Sequence, residues 1–137
     1  MKVLKKFTVP LLCGFATFLL FNYVFFIGYV PSVSMEPTIK AGSFVFGHRF
    51  TGNIQRGDVV VFRRYDTYLV KRVAGIPGDV IRIADEPPVC SCRELLVPNM
   101  RFYLLGDNSS QSLDSRFWEN PFVEGSEIIA TLSLKQQ

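Results

Sequence analysis

Residues 7–30, FTVPLLCGFATFLLFNYVFFIGYV, hold no charged side chain, and an apolar run of 24 residues leaves a chain few options. At about 1.5 Å per residue a helix of that length reaches about 36 Å, enough to cross the hydrocarbon of a bilayer with some tilt. The run therefore predicts one transmembrane helix over residues 7–30. Pro10 falls in its first turn, where a missing N–H is tolerated, and Asn22 is the strongly polar side chain within it. A cleaved export signal also begins with basic residues such as Lys2, Lys5 and Lys6. Its apolar core, however, spans only about 7–15 residues and ends in small side chains. This run ends in Gly28, Tyr29, Val30 and Pro31, so a retained anchor is the better reading. Lysines stand before the span and no basic residue follows until Lys40. The positive-inside rule then predicts residues 1–6 in the cytoplasm and residues 31–137 across the membrane.

The formal charge is +3, with twelve acidic residues spread among fifteen basic ones, and no basic stripe of the kind nucleic acid requires. Nucleic acid is excluded as a partner on that ground. Contact with membrane lipid is favoured, because the chain stays rich in Phe and Val directly after the span. Of three cysteines, Cys13 lies in the span and packs or faces lipid. Cys90 and Cys92 would stand in an oxidising compartment, where a bridge across one intervening residue is strained; reduced or externally paired thiols remain equal alternatives. One histidine, His48, and no second cysteine pair leave a metal site short of ligands, so no metal is expected.

Beyond the span, short β-like runs alternate with Gly, Pro, Asn and Asp, without repeats. The fold class expected is all-β: one compact domain over residues 31–137 behind the N-terminal helix. Candidate strands are residues 43–50, 58–64, 68–74, 79–83, 101–105 and 127–134. Turns are expected at Thr51-Gly52-Asn53, Arg56-Gly57-Asp58 and Ile76-Pro77-Gly78-Asp79. Residues 86–99 carry the weakest β signal and read as a protruding loop or small hairpin, a short insert near residues 84–100.

Three segments hold candidate chemistry. In Pro31-Ser32-Val33-Ser34-Met35-Glu36-Pro37-Thr38 the two prolines hold the backbone around Ser34 extended. On its own this segment reads as a linker sooner than as a site. In Tyr68-Leu69-Val70-Lys71-Arg72-Val73, period-two alternation puts Lys71 on one face with Leu69 and Val73. Such a lysine either snorkels to the edge of the sheet or is buried, with its pKa lowered until the neutral amine accepts a proton. The third segment, Gly106 to Arg116, is a dense polar run. Within it Asp114 and Arg116 suit a bidentate pair, and Ser112 offers a hydroxyl able to hold an amine.

Together the three segments resemble the signal peptidase I family of serine/lysine proteases. Ser34-Met35-Glu36-Pro37-Thr38 is similar to that family's Ser-Met-x-Pro-Thr box. The stretch from Lys71 to Asp79 resembles its Lys-Arg-Val-x-Gly-x-Pro-Gly-Asp box, and Gly106 to Arg116 its Gly-Asp-Asn-x-x-x-Ser-x-Asp-Ser-Arg box. The resemblance implies an all-β fold with the active site beside the membrane surface. It also implies Ser34 as nucleophile, Lys71 as general base, Ser112 as the hydroxyl orienting Lys71, and Ser32 with the Ser34 N–H as oxyanion donors. Asp107, Asp114 and Arg116 would support the loop. No metal or cofactor is implied. The expected substrates are exported preproteins cut after small residues, and the expected location is the bacterial inner membrane, single-pass, with the catalytic domain on the periplasmic or outer side.

One departure narrows the resemblance: only about twenty residues separate Asp79 from Met100, where many members carry a large second β domain. That compactness also resembles the peptidases of conjugative transfer, so a pilin precursor, matured and even cyclised, is the alternative substrate. Three rivals lie outside this reading. His48 would be the base of a histidine-type serine protease, but Phe46-Gly47-His48-Arg49-Phe50 reads as an exposed strand end. A catalytically silent tethered assembly or binding module would not need both Ser34 and Lys71. A self-cleaving repressor would need a DNA-binding domain where the apolar span lies.

Overall fold

The computed structural model describes residues 2–84 and 92–133. Helix α1 covers Lys2–Val24, and its stretch Phe7–Val24 has a mean hydropathy of 1.7 with none of it buried. It is long and apolar enough to cross a membrane. The helix does not continue to residue 30 as the hydropathy predicts. It stops at Val24, and Phe25–Val30 is strand β1, paired antiparallel with β2, Ser43–His48. The reason lies in the pairing: from Phe25↔His48 to Val30↔Ser43, β2 supplies a partner for each residue of the strand, and Val30 enters the core. The junction is closed by Arg49. Its backbone N–H donates to the Val24 carbonyl at 2.9 Å and its Nε to the Phe25 carbonyl at 3.3 Å, where a cation suits a helix C-terminus.

The remaining strands are β3 (Val59–Arg64), β4 (Thr67–Gly75), β5 (Val80–Ala84), β6 (Cys92–Leu96), β7 (Arg101–Leu105), β8 (Phe122–Glu124) and β9 (Ile128–Leu132). Seven of the nine form one antiparallel sheet in the order β1-β2-β9-β3-β4-β7-β8. The other two pair as a separate hairpin, Val80↔Leu96 through Ala84↔Cys92. All six strands expected from the alternating pattern are present, with ends shifted by a residue or two. Strand β6 falls within the stretch 84–100 where a loop or small hairpin is expected, and its partner β5 leads into that stretch. The pairing of Cys90 with Cys92 lies outside the described residues.

Strand β3 explains how so small a sheet holds a core. Val59 and Val61 join one buried cluster with Val30, Met35, Val45 and Leu132, while Val60 and Phe62 join another with Val73, Leu104 and Val123. Alternate side chains thus feed opposite faces, which is why this strand reads as an unbroken apolar run. The turns carry the expected chemistry. Gly57 and Gly78 adopt φ of 95° and 90°, where an L side chain would be strained, and Asp79 Oδ2 accepts the Ile76 N–H at 2.8 Å.

Candidate active site

The turn leaving β1 carries Ser32 and Ser34. It is anchored by two apolar side chains, Met35 and Ile39, which sink into the first core, and by the Ile39 N–H donating to the Met35 carbonyl at 2.9 Å. With its odd-numbered apolar residues taken inward, the turn leaves Ser34 half-buried and Ser32 exposed, their hydroxyl oxygens 3.2 Å apart. Asn108 fixes the turn from outside. Its N–H donates to the Ser34 carbonyl at 3.0 Å and its Nδ2 to the Val33 carbonyl at 3.2 Å.

Lys71 stands on β4 opposite Val60 of β3, and is only 3% exposed. It does not snorkel. Nζ donates to Ser112 Oγ at 2.8 Å, and Ser112 Oγ donates in turn to Asp114 Oδ2 at 2.7 Å. Burial pushes the Lys71 pKa below the usual lysine range; the negative charges of Asp114 and Asp107 oppose that shift without reversing it, and Arg116 adds to it.

Asp114 is completely buried, yet it stays ionised. Desolvation pushes its pKa up, but hydrogen bonds from Arg116, Gly106 and Ser112 more than offset this and hold it below the usual carboxylate range. Arg116 grips it with two nitrogens, both at 2.9 Å, and the Gly106 N–H donates to Oδ2 at 2.9 Å. Asp107 belongs to a neighbouring pair. Arg72 donates to both its oxygens, at 2.8 and 2.6 Å, and also reaches the Gly57 carbonyl at 2.8 Å and Thr38 Oγ1 at 3.4 Å. Arg72 thereby ties the first, second and third polar segments together.

Gly106 is the point on which these groups converge. A Cβ placed there would stand 2.1 Å from Ser112 Oγ and 2.6 Å from the Ser34 carbonyl oxygen. The Ser34 turn and the hydroxyl that holds Lys71 therefore meet over one hydrogen atom, and the glycine is needed for that approach. His48 is elsewhere, on β2 opposite Phe25, with Nδ1 3.1 Å from the Phe50 carbonyl. Chemically, the arrangement offers a half-buried hydroxyl on one segment and, on another, an amine that is withheld from water and bound to a further hydroxyl.

A sequence profile for a family described as signal peptidase, peptidase S26, matches residues 2–89. The chain belongs to that family. The chain is similar to a probable signal peptidase I-2 of Synechocystis, 30% identical over 117 residues, which covers 66% of this chain and 54% of that protein. Bacillus subtilis signal peptidase I S is 28% identical over 125 residues, covering 69% of this chain and 68% of that protein. Subunit 1 of the mouse mitochondrial inner membrane protease is 35% identical over 104 residues, covering 72% and 62%. The chain spans about half the length of the first bacterial relatives, 54% and 55%.

Among the residues the sequence singles out, the structure brings Ser112, Asp114 and the Ser34 carbonyl together at Gly106, with Lys71 bonded to Ser112, Arg116 to Asp114, Ser32 Oγ 3.2 Å from Ser34 Oγ, and Asp107 held by Arg72. Two contributors were not given a role by the sequence reading: Gly106 as the contact point and Asn108 as the clamp on Ser34. Their adjacency in Gly106-Asp107-Asn108 was the available signal.

Proposed function

We propose that this chain is a membrane-anchored serine endopeptidase that removes N-terminal signal peptides from exported preproteins. The observation that carries the reading is Lys71: buried, lowered in pKa, and donating to a hydroxyl rather than to a carboxylate, beside a half-exposed serine turn. An amine whose pKa burial holds below the usual lysine range loses its proton more readily and is suited to act as a base.

In the proposed mechanism neutral Lys71 takes the Ser34 proton as Oγ attacks the scissile carbonyl. The lysine then gives that proton to the departing amine, leaving the acyl group as an ester on Ser34. Lys71 next deprotonates a water that attacks the ester, and returns the proton to Ser34 as the acid leaves. The Ser34 N–H and the Ser32 hydroxyl donate to the oxyanion; loss of one such donor typically costs about 2.7–4 kcal/mol. Ser112 orients Lys71, and the Asp114–Arg116 and Asp107–Arg72 pairs hold the segments in place. No metal or cofactor takes part.

The substrate binds as an extended segment. Strand β1 is an edge of the sheet and ends four residues before Ser34, so it offers free backbone groups beside the nucleophile. The outer face of the same hairpin exposes Phe25, Ile27, Tyr29, Phe44 and Phe46, each 46% exposed or more. We assign that face to membrane lipid, continuous with α1. The N-terminus lies in the cytoplasm and the β domain across the bacterial inner membrane.

The test is cleavage, in detergent, of a panel of preproteins and a pilin precursor by the wild type, Ser34→Ala and Lys71→Ala, with product masses recorded. Cleavage after small residues by wild type alone supports the reading, and mass separates hydrolysis from ring closure. Variants that cut as well as wild type would overturn it.

A further inference from the structure

The inference concerns Asp114, and it rests on the Ser34/Lys71 reading above. We propose that Asp114 is a positioning residue that fixes the direction of the Ser112 hydroxyl, and that this direction keeps the Lys71 lone pair free to act as the base. The geometry follows from counting donors and acceptors.

Asp114 Oδ2 lies within hydrogen-bond distance of three donors: the Gly106 N–H at 2.9 Å, Arg116 at 2.9 Å and Ser112 Oγ at 2.7 Å. Oδ1 takes the Arg116 Nε at 2.9 Å and the Arg116 N–H at 3.3 Å. A buried carboxylate with an arginine on both oxygens is ionised and accepts only. Ser112 has one proton, and the 2.7 Å contact directs it to Asp114. The Ser112 oxygen then has only lone pairs to offer in the other direction, so it accepts an N–H from Lys71 across the 2.8 Å contact.

A neutral lysine has two N–H groups and one lone pair. Because Ser112 takes an N–H, the lone pair is left to point elsewhere. Were the hydroxyl reversed, Ser112 would donate into that lone pair and the base would be occupied. The Ser34 turn is the other segment that meets Ser112 at Gly106, through the Ser34 carbonyl, and the freed lone pair stays available to accept a proton. Asp114 thus acts on the reaction without touching substrate, through one proton on another residue.

The reversed arrangement makes an opposite prediction, and one substitution tells them apart. Removing an acceptor from an ammonium lowers its pKa, whereas removing a donor from a neutral amine raises it. The experiment uses the full chain in detergent with 13Cε-labelled lysine. The titration of Lys71 is followed by NMR in wild type, Ser112→Ala, Asp114→Asn and the double variant, alongside single-turnover cleavage against pH. Ser112→Ala removes one oxygen and leaves Asp114 its Gly106 and Arg116 partners, so the fold is retained and the sign test does not depend on the harsher variant. The expected result is a lower Lys71 pKa in Ser112→Ala.

Asp114→Asn is expected to lower the Lys71 pKa as well. Its cleavage rate on the alkaline plateau nevertheless falls at least ten-fold, because a base that is more often neutral has its lone pair engaged. In the Ser112→Ala background the same change moves the plateau by less than about two-fold. A raised pKa in Ser112→Ala would overturn the proposal, and so would an equal plateau loss from Asp114→Asn with Ser112 absent, which marks a merely structural role. The NMR arm reads the hydroxyl direction even if no substrate is cut, so failure of this proposal is distinct from failure of the protease reading, which is decided by Ser34→Ala and Lys71→Ala.

Discussion

Two regions of this molecule invert the usual distribution of side chains, in opposite senses. Around Gly106, polar and charged groups are buried: Lys71, Ser112, Asp114 and Ser115 are all under 10% exposed. On the outer face of the β1–β2 hairpin, large apolar groups are exposed, with Phe44 at 68% and Phe46 at 63%. In the first region each charge is compensated within a few ångströms, from Arg116 on Asp114 to Arg72 on Asp107. The second has no such internal compensation; its apolar side chains, Tyr29 against Phe44 at 5.5 Å among them, pair with one another and face outward. The contrast separates two uses of the same sheet. One region concentrates chemistry where water is scarce, and the other presents a surface suited to a medium that is not water.

The comparison breaks most sharply at Lys71. Lys71→Met is expected to lower cleavage at least about a thousand-fold while raising stability at neutral pH by about 1 kcal/mol, since it removes a desolvated amine from the site. The sign with pH follows from the lowered pKa. Below its folded pKa the buried ammonium carries its full cost, and between that value and the ordinary lysine value of 10.5 the unfolded chain binds more protons. Wild type should therefore gain on Lys71→Met in urea unfolding as pH rises towards 10.5. Should Lys71→Met be less stable throughout, the lysine is held by more than it costs.

Gly106→Ala comes next. A methyl group 2.1 Å from Ser112 Oγ cannot be accommodated without moving that hydroxyl, so cleavage should fall about a hundred-fold with a smaller loss of stability, about 1–3 kcal/mol. Retained activity in a peptide assay would show that the approach relaxes. On the apolar region, the pair Phe44→Ser and Phe46→Ser should reduce cleavage of a vesicle-embedded preprotein about ten-fold through lost membrane contact, yet cut a detergent-solubilised peptide close to the wild-type rate. Equal losses in both assays would remove that face from any role at a membrane.

The smallest effect is expected at Asp107→Asn, with about 1–2 kcal/mol lost at pH 7 because Arg72 loses its charged partner. Burial pushes the Asp107 pKa up, but Arg72 and Thr38 hold it below the ordinary 3.8. Its stabilisation is thus present above that value and is lost as pH falls through the folded pKa. Wild type and Asp107→Asn should converge in acid, and curves that stay parallel would mean the pair is not the cause.

The two regions were also unequally legible. The polar segments could be read residue by residue, since Ser34, Lys71 and Ser112 stand in short strings with restricted spacing. Strands such as β3 and β7 were legible because short apolar runs beside Gly and Asp marked them. Strand β1 was not. Both its faces are apolar, Phe25, Ile27 and Tyr29 on one side and Phe26 and Val30 on the other. Hydropathy could not tell a strand with no polar face from the continuation of a membrane helix. Strand β6 was obscured by Pro and Cys neighbours and defined by its partner β5, and β8 is only three residues long. The role of Gly106 was invisible for a different reason: close approach between segments some seventy residues apart is a property of the folded chain.

The Arg49 clamp at Val24 has a mechanical side. Helix α1 passes into β1 without an intervening loop, and the last carbonyl of the helix and the first of the strand are both held by Arg49, just after β2. Anchor and sheet are therefore geared together, with no slack between them. A helix that leans to fit a thinner bilayer swings the sheet edge and the serine turn through the same angle. If α1 spans a bilayer as proposed, its lean is passed on to the serine turn, since no linker stands between helix and sheet to absorb it.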